Sequence, residues 1–465
     1  MHPRRIVCWL LAVQLAVPFA LNGQTPDPDP MAGAEPARTS TAGFRPAQTL
    51  LEALDPPALR TLAAEVLERN PDTARQRRQA AAMAVRAPQV RALPDPVAAL
   101  TVFVLPPETR VGAQRLSASI SQKLPWFGKL ALKEQAALYA AAKAAADVET
   151  IRLDVLTETR RLAYELSFLD SHQAILEEER NALVRFEQAA QARYAAGLGL
   201  QQEIVRIQAQ ITRVDTRLLD ISERRASLLA AVNALRDRPA DQPVGAVALP
   251  EPQPLVVDRA GLGHEARARR PELAAADAEI AARAALIELA LKSFRPDVTL
   301  GFSYTAVERR DDAAGRANPP PDDGDDVLAL TGSVNLPVWR RKLEAGVEEA
   351  QALRRAAEED KRRILAGIER SIGELAARMP LLFEHWRLLE TVLRVQAREA
   401  LRSAETAYST GKLNAVDLLD AEVVLFEVRI AAARTRADLA VARAELERAV
   451  ARSLKPRKES RAHDR

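Results

Sequence analysis

Aromatic residues are scarce in this 465-residue chain: ten Phe, five Tyr and four Trp make up 4% of it. Thick globular cores are normally filled by aromatics as well as aliphatics. The string of ordinary domains that the length suggests is therefore disfavoured. The one cysteine, Cys8, excludes a disulfide framework and a cysteine-ligated zinc site. Net charge is low as well: 66 Lys and Arg against 63 Asp and Glu leave a formal +3, which implies no nucleic-acid partner. After the N-terminal segment, no apolar run reaches the ~18 residues of a membrane-spanning helix. Catalytic signatures are missing too, with no G-x-S-x-G, H-E-x-x-H or Walker P-loop. His2, His172, His264, His385 and His463 are scattered without ligand spacing. No catalytic residue, metal site or cofactor is expected, so the chain reads as a non-enzyme.

What remains is rich in Ala, Leu, Glu and Arg, with 28% charged residues, the bias of long helices and coiled coils. The 48% hydrophobic content excludes a disordered chain. At the N-terminus, Arg4 and Arg5 precede an apolar run from Ile6 to Leu21, followed by Asn22, Gly23 and Gln24. That is a secretory signal peptide over residues 1–23, with an uncleaved anchor as the alternative. A Pro-rich segment, 24–60, follows it, and a basic tail, 455–465, ends the chain.

The chain is written twice. Asn70-Pro71 is echoed by Arg270-Pro271 at an offset of 200, and Pro94-Asp95 by Pro296-Asp297 at 202. Lys123-Leu124-Pro125 is echoed by Asn335-Leu336-Pro337 at 212, and Tyr194-Ala-Ala-Gly197 by Tyr408-Ser-Thr-Gly411 at 214. The first copy spans 61–237 and the second 259–454, with a Pro-rich linker over 238–258. Each is predicted to contain a helix, two strands and a long helical hairpin. Lys129 to Ala196 holds 68 residues without Gly or Pro, a helix roughly 100 Å long. Val148, Val155, Leu162, Leu169, Leu176 and Leu183 recur every seven residues along it. The returning helix carries Ile204, Ile211, Leu218 and Val232, with Arg225 the one break, beside Ile207, Val214, Ile221, Leu228 and Leu235. Its second-copy counterpart carries Leu418, Leu425, Ala432, Leu439 and Leu446. These are coiled-coil seams. Pro380 should kink or break the outgoing helix of the second copy.

The strands alternate apolar with small polar residues. Leu116, Ala118, Ile120 and Leu124 face away from Ser117, Ser119, Ser121 and Lys123. Val298, Leu300, Phe302 and Tyr304 form a second run, Leu328, Leu330, Val334 and Leu336 a third, and Val97 to Leu105 a weaker fourth. Runs of about ten residues suit tilted transmembrane strands; a half-buried soluble sheet is the competing reading. Ser and Thr on the polar face, together with export, favour a water-filled lumen. Four strands cannot close a barrel, and lipid does not tolerate open edges. The membrane reading therefore demands an oligomer that pools strands. The short link 106–113 and the acidic loop 307–326, with Asp311, Asp312, Asp322, Asp323, Asp325 and Asp326, would face outward. The acidic loop reads as solvated ahead of a calcium site.

From about Leu62 to Leu454 the sequence resembles the TolC family of outer-membrane efflux proteins. The motifs that carry the resemblance are Arg193-Tyr194-x-x-Gly197 with Glu203, and Tyr408-x-x-Gly411 followed by Val416-Asp417-Leu418-Leu419-Asp420-Ala421. Pro94-Asp95, Arg295-Pro296-Asp297 and Leu124-Pro-Trp-Phe-Gly128 are also similar to the family. The first copy has the general look of members serving heavy-metal efflux. The resemblance implies an α+β membrane protein: a homotrimer whose outer-membrane β-barrel, four strands per chain, continues as a long α-helical coiled-coil barrel. It implies a passive exit duct of a tripartite efflux or type I secretion system, in the outer membrane and reaching into the periplasm. Outer-membrane lipid, a periplasmic adaptor and an inner-membrane transporter would be its partners.

Carried over residue by residue, the resemblance implies a periplasmic gate of Asp417, Asp420, Tyr408 and Glu203. Asp417 and Asp420 lie one turn apart on one helix face, and three copies would make rings that favour cations. An exposed helix face is the reading of those two residues alone. Position 413 is Leu where some such channels carry a basic gate residue. The turns Gly197-Leu198-Gly199 and Gly411-Lys412-Leu413 would be the helical tips that meet the adaptor. A periplasmic coiled-coil adaptor or scaffold without a pore is the alternative.

Overall fold

The computed structural model describes residues 45–255 and 258–454. The expected signal peptide and basic tail, and most of the Pro-rich segment, lie outside them. The described part opens with α1 (Pro46–Glu52), α2 (Pro57–Arg69), α3 (Pro71–Ala84) and α4 (Arg86–Arg91). Proline near the first position, where no intrahelical N–H is required, starts the first three. Asn70 caps α3 by accepting the Thr73 N–H at 3.0 Å. Ala47, Leu50 and Leu51 of α1, together with Leu54, are buried in the main core.

The first sheet segment is β1 (Val97–Val102), β2 (Glu108–Thr109) and β3 (Gly112–Leu124), and the first hairpin is α5 (Lys129–Ala195) and α6 (Gln201–Leu235). The second copy follows as α7 (Arg259–Arg269), α8 (Pro271–Lys292), β4 (Val298–Val307), α9 (Ala313–Ala317) and β5 (Val327–Val334). Its hairpin is α10 (Arg340–Leu388), a π-helical turn at Leu389–Leu393, α11 (Arg394–Ser409) and α12 (Ala415–Val450). In both copies helices precede the strands and a long hairpin follows them, with four helices ahead of the first copy's strands and the extra β2 among those strands.

The sheet is antiparallel in the order β1-β3-β4-β5. Beyond the four predicted strands, the two-residue β2 folds the 106–113 link back onto the start of β3, and α9 forms within the acidic loop. The weak first strand stops at Val102, short of Leu105. Register places Ala98, Ile120, Phe302 and Leu330 in one cross-strand row and Leu100, Ala118, Tyr304 and Leu328 in the next. Between them run Ala99, Ser119, Ser303 and Ala329, with a Ser117–Thr305 hydroxyl bond of 3.0 Å nearby. One face is therefore apolar and the other small and mostly polar. Among the described residues the outer edges of β1 and β5 pair with nothing.

The heptads are the core of the helical layer. Leu162, Leu169, Leu176 and Leu183 of α5 are buried with Ile207, Val214, Ile221 and Val232 of α6 and Leu418, Leu425, Ala432, Leu439 and Leu446 of α12. α12 packs on both α11 and α5, and α5 on α6, so these helices lie side by side as α11-α12-α5-α6. Arg225, the break in the α6 heptads, reaches Asp170 Oδ1 across the hairpin at 2.7 Å. A buried ion pair, Arg160–Glu447 at 2.7 Å, joins α5 to α12, and Glu447 also accepts the Leu454 N–H at 2.9 Å.

The predicted break at Pro380 does not occur: α10 runs through it to Leu388. Pro380 lies on the exposed face, while Leu375, Ala376 and Met379 keep the buried stripe packed. The departure from α geometry comes downstream, at the π turn. Among the described residues no helix is long and apolar enough to cross a membrane.

Candidate functional site

Both hairpins close with the same backbone device. At the end of α5, Leu198 N–H donates to the Arg193 carbonyl and Gly197 N–H to that of Tyr194, each at 2.9 Å. At the end of α11, Lys412 N–H donates to the Ala407 carbonyl at 2.9 Å and Gly411 N–H to that of Tyr408 at 3.0 Å. These are Schellman caps, and they place Gly197 at φ 73° and Gly411 at φ 75°, where a side chain would be strained. At the tips Gly197, Leu198, Gly411 and Lys412 are exposed, whereas Gly199 and Leu413 are half-buried, with Leu413 packed against the core.

The return helices then begin. Asn414 caps α12 by accepting the N–H groups of Val416 and Asp417 at 2.8 and 3.0 Å. Asp417 stands in the first turn of α12 as Glu203 does in the first turn of α6, and each carboxylate suits the positive end of a helix. Asp417 and Asp420 share an exposed face, while Leu418 between them is buried. Neither makes a side-chain ion pair among the described residues.

Of the four expected gate residues, the fold brings Tyr408 and Glu203 together and leaves the aspartates outside that contact. The Tyr408 hydroxyl donates to Glu203 Oε2 across the two hairpins at 3.5 Å. Burial, reinforced by the Glu203 charge, pushes the phenol above its ordinary range, against the opposing pull of Arg193. Tyr408 thus stays a hydrogen-bond donor.

Arg193, part of the Arg193-Tyr194-x-x-Gly197 motif, is absent from the expected gate set but joins this contact. Its guanidinium lies 4.5 Å from the Tyr408 ring centroid, one nitrogen donates to the Tyr408 carbonyl, and another reaches the Leu198 carbonyl at 3.4 Å. The signal was present as an asymmetry: Arg193 is matched in the second copy by Ala407. The tyrosines diverge accordingly, Tyr408 being 3% exposed and Tyr194 50%.

Residues 262–452 match the family model described as outer membrane efflux protein. No curated protein matches the chain. The outer membrane protein VceC of Vibrio cholerae shares its fold at 22% identity and a TM-score of 0.68, with 85% of this chain and 97% of that one covered. The open-state MtrE outer membrane channel of Neisseria gonorrhoeae aligns at 19% identity and TM-score 0.69, over 86% and 90% of the two chains. The CmeC outer membrane channel of Campylobacter jejuni aligns at 14% and 0.71, over 93% and 94%. The chain thus matches the outer membrane efflux protein model through its second copy and carries the fold of these outer-membrane channels over most of its length, in line with the family that its motifs resemble.

Proposed function

We propose that three copies of this chain form a passive outer-membrane exit duct, gated at its periplasmic end and fed by a periplasmic adaptor and an inner-membrane transporter. The observation that carries the reading is that both layers are open at two edges. The sheet ends at β1 and β5, and the helical layer at α6 and α11. Lipid would leave the backbone groups of an open sheet unsatisfied. Because the order β1-β3-β4-β5 alternates in direction, β5 of one copy would lie antiparallel to β1 of the next. Three copies would close a barrel of twelve long strands. The helical edges suit the same closure: Val205 and Leu219 stand exposed on α6, and Leu381, Leu388, Val392 and Val395 along the α10–α11 line.

Two further features favour the membrane placement. Phe127 and Trp339 occupy matching positions where each copy passes from sheet to helix, and they are 84% and 76% exposed. Aromatics gather at that level of a bilayer. The apolar face of the sheet would meet lipid and the Ser/Thr face the lumen.

At the other end Asp417 and Asp420 would form two carboxylate rings at the mouth. Arg193, Tyr408 and Glu203 would hold the hairpins in the closed arrangement, and the tips 197–199 and 411–413 would meet the adaptor. Fractionation tests the reading: the protein should sediment with outer membranes, require detergent and run as a heat-labile trimer. A soluble monomer would overturn it and favour a pore-free scaffold.

A further inference from the structure

The α5–α12 seam contains two carboxyl groups where coiled coils place aliphatics. Glu179 lies between Leu176 and Leu183 on α5 and is 1% exposed; Glu422 lies between Leu418 and Leu425 on α12 and is 0% exposed. Glu179 Oε2 and both oxygens of Glu422 have no hydrogen-bond partner. The surrounding charges are committed or distant. Arg429 pairs with Glu178 at 2.6 Å and Arg180 with Asp215 at 2.7 Å. From α6, the buried Gln210 accepts from Arg213 at 3.3 Å and its amide lowers Glu179, while Arg217 is exposed and influences the pair only through space; Glu427 of α12 adds a further negative charge. The buried residues of α11 are Ala397, Leu401, Ala404 and Tyr408, which bring no charge.

Two ionised carboxylates in such a dry seam would be unpaired buried charges repelling each other. A single proton turns one of them into a donor and removes the repulsion. We propose that Glu179 and Glu422 hold one proton between them and that this proton latches the first hairpin to the second. Burial first, and then the Glu179 charge, push Glu422 up to about 8; burial also raises Glu179. The proton is therefore retained at neutral pH.

The sign follows from linkage. A separated seam would ionise in the ordinary carboxylate range, whereas the packed seam keeps its proton to about pH 8. Packing is favoured most at low pH and weakens as pH rises through that window, about tenfold in the equilibrium per pH unit. The consequence that the mouth opens in alkali rests on the duct reading; the proton and the hairpin contact do not.

The test uses full-length protein in detergent. Infrared titration should show a protonated carboxyl band that persists at neutral pH and disappears near pH 8. Glu422→Gln should abolish the band. Spin labels on Leu198→Cys and Lys412→Cys should move apart at alkaline pH in the otherwise unaltered protein and stay together with Glu422→Gln. Glu179→Gln, which removes the neighbouring charge, should lower the midpoint. A band that is absent, or that survives Glu422→Gln, overturns the shared proton. A titrating band with label distances indifferent to pH overturns the latch. Absence of any conductance would sink the duct reading and leave both of these measurements decisive.

Discussion

Where the two hairpin ends meet, a single arginine makes more of the contact than the tyrosine-carboxylate bond does, and under the proposed duct reading that contact is the closed one. The Tyr408–Glu203 bond, at 3.5 Å, sits at the outer limit of hydrogen bonding, so Tyr408→Phe should cost the closed state no more than about 0.5 kcal/mol. Arg193→Ala removes a cation–π contact and charge-assisted bonds to two carbonyls, together about 2–3 kcal/mol. Open probability in planar bilayers should therefore rise at least tenfold in Arg193→Ala and barely change in Tyr408→Phe. The reverse order would mean that the phenol, not the guanidinium, fastens the hairpins. In the proposed trimer the aspartates would act differently, through rings made by symmetry. Replacing both, Asp417→Ala with Asp420→Ala, should weaken block of conductance by divalent cations. Unchanged block would place them away from the constriction.

At the scale of the element, the seams carry stability and the surface ion pairs contribute little. Ile207 is fully buried, so Ile207→Ala should cost about 2–5 kcal/mol. Arg225 and Asp170 are both roughly two-fifths exposed, so Arg225→Ala should cost at most about 1 kcal/mol. Denaturant unfolding of the two variants separates these values. Gly411→Ala meets nothing within 4 Å, so its cost is backbone strain alone, about 1 kcal/mol. Heptads, strand alternation and turn glycines were legible in the sequence because each is a period or a local conformation. Whether Pro380 ends its helix depends on which face it occupies, and that face is exposed. Arg193 stood in a recognised motif, but its contact to Tyr408 was not legible because that partner lies in the other copy. Glu179 and Glu422 escaped for a related reason: an acid on a helix reads as solvated until a second helix covers it.

For the whole molecule, what one chain leaves unfinished is the informative part. An edge strand with all residues exposed, as β1 and β5 both are, is an aggregation hazard unless it is paired. Its counterpart in the helical layer is a row of bare aliphatics on α6 and on α10–α11. Few aromatics suffice for such a chain, because a helical layer one helix thick needs seams rather than a thick centre. The Arg160–Glu447 pair ties α5 to α12, and Asn70 donates to the Leu235 carbonyl at the end of α6 at 3.3 Å. Conductance is the most direct measurement of this account. Purified trimer added to a planar bilayer should produce discrete, cation-favouring current steps that grow when Arg193 is replaced by Ala. A verified trimer that inserts and passes no current, with Arg193 present or replaced, would contradict the duct.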